Sequence, residues 1–119
     1  MAPGSHIILV STSLCAASTV APAYLTYVTS KGAIEQMTRV LAKDLGRKGI
    51  RVNAIAPGPT GTEIFLKGKS EQLIKGISSA SPFQKLGEPD EIADVVTFLS
   101  GDASRWVSGQ VVRVNGAFA

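Results

Sequence analysis

Residues 26–46, TYVTSKGAIEQMTRVLAKDLG, carry a helical apolar stripe through Ile34, Met37, Leu41 and Leu45 and stop at a glycine, Gly46. Apolar runs of a different period lie on either side. Upstream, HIILVSTSLCAAS at residues 6–18 holds a β-branched run, Ile7 to Val10, that ends in hydroxyls and reads as a buried strand with Ser11 and Ser13 at its carboxyl end. Downstream, RKG at 47–49 hands over to IRVNAIAPGPTGTE at 50–63, a second strand closed by Pro57 and Gly58. Strand, helix, strand at this length returns the chain to a parallel neighbour by a right-handed crossover, so the fold class is α/β. Polar groups at the carboxyl ends of such strands are where open α/β sheets bind ligands.

The helix carries a chemical pattern as well. Tyr27 stands one turn before Lys31, so both side chains leave the same helical face. A free phenol ionises near pH ~10 and is a poor proton donor or acceptor in neutral solution. An ammonium about 4 Å away at an effective dielectric of about 20 contributes roughly 4 kcal/mol of attraction to the phenolate. That lowers the phenol by about three pH units, toward the range where proton transfer is efficient. Tyr24 is a rival, but four residues beyond it stands Val28, which offers no cation. Tyr24 is therefore assigned to packing or to a substrate wall.

With these residues the chain resembles the C-terminal half of the short-chain dehydrogenase/reductase family, whose Ser…Tyr-x-x-x-Lys signature is matched by Ser13, Tyr27 and Lys31. The resemblance continues through GIRVNAIAPGPTGTE and through LGEPDEIADVVTFLSGDASRWVSGQVVRVNGAFA at residues 86–119. It implies a partial Rossmann-type doubly wound sheet: three parallel strands with crossover helices, the C-terminal part of a seven-stranded sheet, with residues 1–119 forming one domain. It makes Tyr27 the general acid/base and Lys31 the group that depresses its pKa and binds the nicotinamide ribose. Ser13 would hold the substrate oxygen; Ser11 and Thr12 stand close by, and Ser13 is chosen on its separation from the tyrosine. Pro57, Gly58 and Thr62 would border the nicotinamide of NADP or NAD. The substrate would be a small carbonyl or alcohol compound, covered by a lid over residues 62–87 in which a helix is expected around Ser70 to Ile77. Ile64, Phe65, Leu66, Leu73 and Phe83 could form its apolar ceiling. Asn115-Gly116-Ala117 departs from the family's commoner Asp-Gly-Gly ending.

Several features of that family are not in these 119 residues, among them a G-x-G-x-x-G turn for the pyrophosphate. Two functional classes therefore stay open: a hydride-transferring oxidoreductase, and a catalytically idle module that oligomerises or binds a partner. The strand Ile7 to Thr12 would present an open edge, and pairing of that edge or of the Tyr27–Lys31 helix leads us to expect a homo-oligomer.

Composition narrows the remaining classes. Hydrophobic residues make up 45% of the chain, and no apolar run reaches the ~18 residues of a membrane span. MAPGSH lacks the apolar segment of a secretory signal, and the single cysteine, Cys15, suits a reducing cytoplasm. His6 is the only histidine, so no metal site is expected. The net charge is +3, with Lys43, Arg47, Lys48 and Arg51 the densest basic group. No aromatic residues are interleaved with it, so nucleic acid is not an expected partner. Pro89 should open a helix with Ile92, Val95, Val96 and Leu99 on its core stripe.

Overall fold

The computed structural model describes residues 1–119. Three parallel strands form one sheet in the order β1 (His6–Val10), β2 (Arg51–Pro57), β3 (Val111–Val114). Ile7 sits opposite Val52 and Ala54 opposite Val111, which fixes the register. As the central strand, β2 is buried from Val52 to Ala56, and a run that is apolar apart from Asn53 fits a strand covered on both faces. The asparagine inside that run is satisfied locally. Asn53 donates from Nδ2 to the Val107 carbonyl at 2.9 Å and accepts the Gln110 N–H at 3.1 Å, tying the approach to β3 onto β2.

The crossover helix α1 (Leu25–Gly46) lies against β2 and ends at the glycine. Its covered stripe differs from the expected one at one position. Met37 is 44% exposed, and Thr38 is fully buried in its place. The reason is geometric: the contact line runs Ile34, Thr38, Leu41, Leu45 at helical spacing, and Met37 is rotated by a residue toward solvent. Burying Thr38 leaves no orphan hydroxyl, because it donates to the Ile34 carbonyl one turn back at 2.8 Å.

Helix α4 (Pro89–Ser100) opens at Pro89, as expected, and its stripe of Ile92, Val95, Val96 and Leu99 faces the sheet, with Leu99 fully buried. Glu91 closes its first turn: one carboxylate oxygen accepts the Glu88 N–H at 2.8 Å and meets Lys85 Nζ at 2.6 Å. The Glu88 amide, and after it Lys85, hold the Glu91 carboxyl below the usual carboxylate range.

Arg51 departs from expectation. It is not part of a basic surface group; its guanidinium turns inward to the carboxyl end of α4. There it donates to the carbonyls of Ser104 at 2.7 Å, Leu99 at 3.2 Å and Gly101 at 3.2 Å. Its Nη2 also lies 3.2 Å from His6 Nε2.

Between β2 and α4 the chain makes two short helices, α2 (Glu63–Leu66) and α3 (Glu71–Ser78). Ser70 caps α3 by accepting the Leu73 N–H at 3.1 Å, so the helix runs one residue later than the expected Ser70–Ile77 span. The two ends of this excursion meet, with Gly61 N–H donating to the Gly87 carbonyl and Gly87 N–H to the Pro59 carbonyl, each at 2.8 Å.

Candidate active site

The carboxyl ends of β1 and β2, the first turns of α1 and the segment carrying α2 and α3 enclose a cleft of about 1330 Å³. Every expected site residue borders it: Ser13, Tyr27, Lys31, Pro57, Gly58 and Thr62. A pocket for one drug-sized ligand is typically about 300–1,000 Å³, so the cleft has room for two reactants side by side.

The helical turn delivers Tyr27 and Lys31 together. Lys31 Nζ lies 5.8 Å from the centroid of the Tyr27 ring. One ammonium hydrogen goes to the Val10 carbonyl at 2.9 Å, which moors the lysine to the end of β1 and leaves its other two hydrogens free. The Tyr27 hydroxyl bonds to no protein group, and the residue is 45% exposed toward the cleft. Tyr24 packs against the Tyr27 ring at 6.3 Å between centroids, tilted by 59°, and also borders the cleft.

Three hydroxyls follow β1, and their hydrogen bonds separate them. Ser11 donates to Glu35 Oε1 at 2.7 Å. Ser13 is buried, donates to the Ala56 carbonyl at 2.7 Å, and accepts from Asn115 Nδ2 at 3.0 Å. Thr12 only accepts, from the Leu14 N–H at 3.3 Å, so its own hydrogen is unclaimed at the cleft wall.

Thr62 repeats this arrangement on the opposite wall. It caps α2 by accepting the Phe65 N–H at 3.3 Å, and its hydrogen remains available to a ligand amide or phosphate oxygen. Gly58 also makes a close approach within the chain. A Cβ there would stand 2.7 Å from the Cβ of Asn115, so the close approach it permits is to the residue following β3. Of the apolar ceiling, Ile64, Phe65 and Leu73 border the cleft, whereas Leu66 does not and Phe83 lines a second cavity behind it. Asn115, which joins Ser13 to the end of β3, was not singled out as a site residue; the departure from Asp at that position was its only sequence signal.

The fit to a nicotinamide cofactor can be stated residue by residue. Lys31, with two free hydrogens, and Thr62, with one, are unengaged donors on the cleft wall, which Pro57 and Gly58 also line. The residues present suit the nicotinamide end of such a molecule. No group of His, Cys, Asp and Glu side chains is placed to hold a metal ion.

The family model described as enoyl-(acyl carrier protein) reductase matches residues 1–118. The chain is 41% identical over 115 residues to an NADPH-dependent aldehyde reductase-like protein of the Arabidopsis thaliana chloroplast, covering 97% of this chain and 42% of that protein. It is 44% identical over 113 residues to a short-chain type dehydrogenase/reductase of Picea abies, covering 95% of this chain and 41% of that one. Among solved structures, the angucycline C-6 ketoreductase LanV with bound NADP superposes with a TM-score of 0.87 at 36% identity, over 99% of this chain and 45% of that one. The chain thus spans less than half the length of these relatives.

Proposed function

The chain belongs to the short-chain dehydrogenase/reductase family, and we propose that its cleft carries the proton-transfer half of an NADP- or NAD-dependent oxidoreductase acting on a small carbonyl or alcohol compound. The observation that carries the reading is the convergence of Tyr27, Lys31 and an unengaged Thr12 hydroxyl on one cleft bordered by Pro57, Gly58 and Thr62. NADPH or NADH, when bound, supplies the hydride that reaches the carbonyl carbon. Tyr27 gives its phenolic proton to the carbonyl oxygen as that oxygen gains charge, and takes it back in the alcohol-oxidising direction. The Lys31 ammonium stabilises the phenolate that results and, with its free hydrogens, holds the ribose hydroxyls. Residues 62–87 close over the substrate as a lid, with Ile64, Phe65 and Leu73 excluding water from the reacting atoms.

Within this reading the hydroxyl that orients the substrate oxygen is Thr12, with Ser13 behind it as the tether to Asn115. Thr12→Val is expected to lower kcat/KM for carbonyl reduction by about 10²-fold, the usual effect of removing one aimed donor. Ser13→Ala is expected to act mainly on stability, by about 1–3 kcal/mol, since it strips a partner from the Ala56 carbonyl and the Asn115 amide. Steady-state kinetics and thermal melts of both variants test this. A Ser13→Ala enzyme that melts like the parent but has lost activity would return the role to Ser13.

A second reading, a homo-oligomerising module, is favoured by the unpaired outer edge of β1 and by Leu25 and Val40, which stand exposed on α1. The two are compatible, since neither Leu25 nor Val40 lines the cleft. No helix is long and apolar enough to cross a membrane. The free thiol of Cys15 fits a reducing compartment such as the cytoplasm.

A further inference from the structure

Behind the cleft lies a second cavity of about 210 Å³, and Pro59, Ile77 and Phe118 border both spaces. Its lining is mainly apolar, with Phe83, Leu86 and Ile92 among the contributors. The two charged residues on its wall, Lys85 and Glu91, neutralise each other in an ion pair of 2.6 Å. A charged or strongly polar occupant would find no unpaired partner there, whereas an apolar one would.

The segment that holds Phe118 between these spaces is built with care. Gly116 and Ala117 both lie in the left-handed region, at φ of 53° and 61°, and for Ala117 that conformation is sterically disfavoured. Asn115 enforces it. Its Oδ1 accepts the Ala117 N–H at 3.1 Å, its own carbonyl accepts the Phe118 N–H at 3.0 Å, and its Nδ2 donates to the Ala119 carbonyl at 2.9 Å. From the other side the buried Ser81 hydroxyl donates to the Gly116 carbonyl at 2.6 Å. A strained turn held from two sides marks a position where the surroundings dictate the backbone.

We propose that Phe118 is a specificity-determining residue, a fixed partition that ends the substrate-binding region of the cleft and keeps the apolar cavity behind it out of reach. The proposal rests on the catalytic reading of the cleft and adds what limits its substrates: carbonyl compounds whose apolar remainder fits in front of Phe118 are accepted, and longer aromatic ones are turned away. Residues on the lid side set the width of the site; Phe118 sets its depth.

The probe is 6-propionyl-2-(dimethylamino)naphthalene, a naphthyl ketone whose emission moves to shorter wavelength in apolar surroundings, titrated into the full chain without cofactor. Phe118→Ala is expected to bind it about tenfold more tightly than the parent, with bluer emission, which corresponds to burying about two more methylene equivalents. Displacement by cyclohexanone, which fits in front of the partition, is expected to be unchanged. Phe118→Leu, which keeps an apolar side chain there if the alanine variant fails to fold, should shift affinity in the same direction by a smaller factor. Equal or weaker probe binding in the folded variants, or no binding by any of them, overturns the partition. Because the readout needs neither cofactor nor turnover, this failure is distinct from that of the catalytic reading, which rests on the rates of Tyr27 variants.

Discussion

Replacing Tyr27 by phenylalanine is expected to lower the rate of NADPH-dependent carbonyl reduction by about 10²–10⁴-fold, the range that a positioned general acid contributes. The structure makes this an unusually clean substitution. The phenolic oxygen bonds to no protein group and the residue is half exposed in the cleft, so removing one oxygen strips no partner and opens no void. The ring stays against Tyr24. The melting temperature should therefore stay where it was while the rate collapses. Lys31→Met is predicted to follow in the same direction for a second reason: besides losing its charge next to the Tyr27 ring, it loses the bond that moors it to the Val10 carbonyl. Retention of more than a tenth of the parent rate by Tyr27→Phe in single-turnover kinetics would remove the tyrosine from the mechanism.

The largest expected effect on stability lies far from the cleft. Arg51→Met is predicted to cost about 3–4 kcal/mol, because several carbonyls at the end of α4 lose a charged donor at once. The last carbonyls of a helix have no partner within it, and the negative end of the helix dipole adds to the attraction for a cation. Arg51 answers both from the first residue of the central strand, bonding Leu99, Gly101 and Ser104 in one fork and so locking α4 to the sheet. Arg51→Lys should recover only part of the loss, since an ammonium is a point charge that cannot span these acceptors. Urea titration measures it; a change below about 1 kcal/mol for the methionine variant would show that water satisfies those carbonyls equally well.

The strands and helices were legible in the sequence because each sits in a distinct period: the β-branched run Ile7–Val10, the apolar run through Val52 to Ala56, and the helical stripes of α1 and α4 between turn residues. The Tyr27–Lys31 pair was legible for the same reason, since helical geometry alone joins residues one turn apart. What failed to show were features whose partners are distant in the chain. Arg51 looked like surface charge because the carbonyls it serves lie about fifty residues later, and carbonyls leave no mark in a sequence. The bond from Asn115 to Ser13 could not be read because its donor lies about a hundred residues later. The close approach of Gly58 to that asparagine was hidden for the same reason. Met37 was placed in the core by spacing alone, and Thr38 could replace it because a threonine in a helix can satisfy its own hydroxyl.

Asn115 accordingly links three parts of the account. It packs against Gly58 at the cleft, holds Ser13 in place behind Thr12, and sets the turn that presents Phe118. Where the family commonly has an aspartate, the amide supplies a donor to Ser13 that a carboxylate could not.

The central claim is that this cleft receives the nicotinamide end of the cofactor, and titrating the isotopically labelled chain with NADPH while following its amide NMR signals tests it most directly. The account predicts saturable shifts at Lys31, Gly58 and Thr62, reproduced by reduced nicotinamide mononucleotide and not by the adenine half of the molecule. Signals that stay fixed at millimolar cofactor, or that move only at residues remote from the cleft, would contradict it.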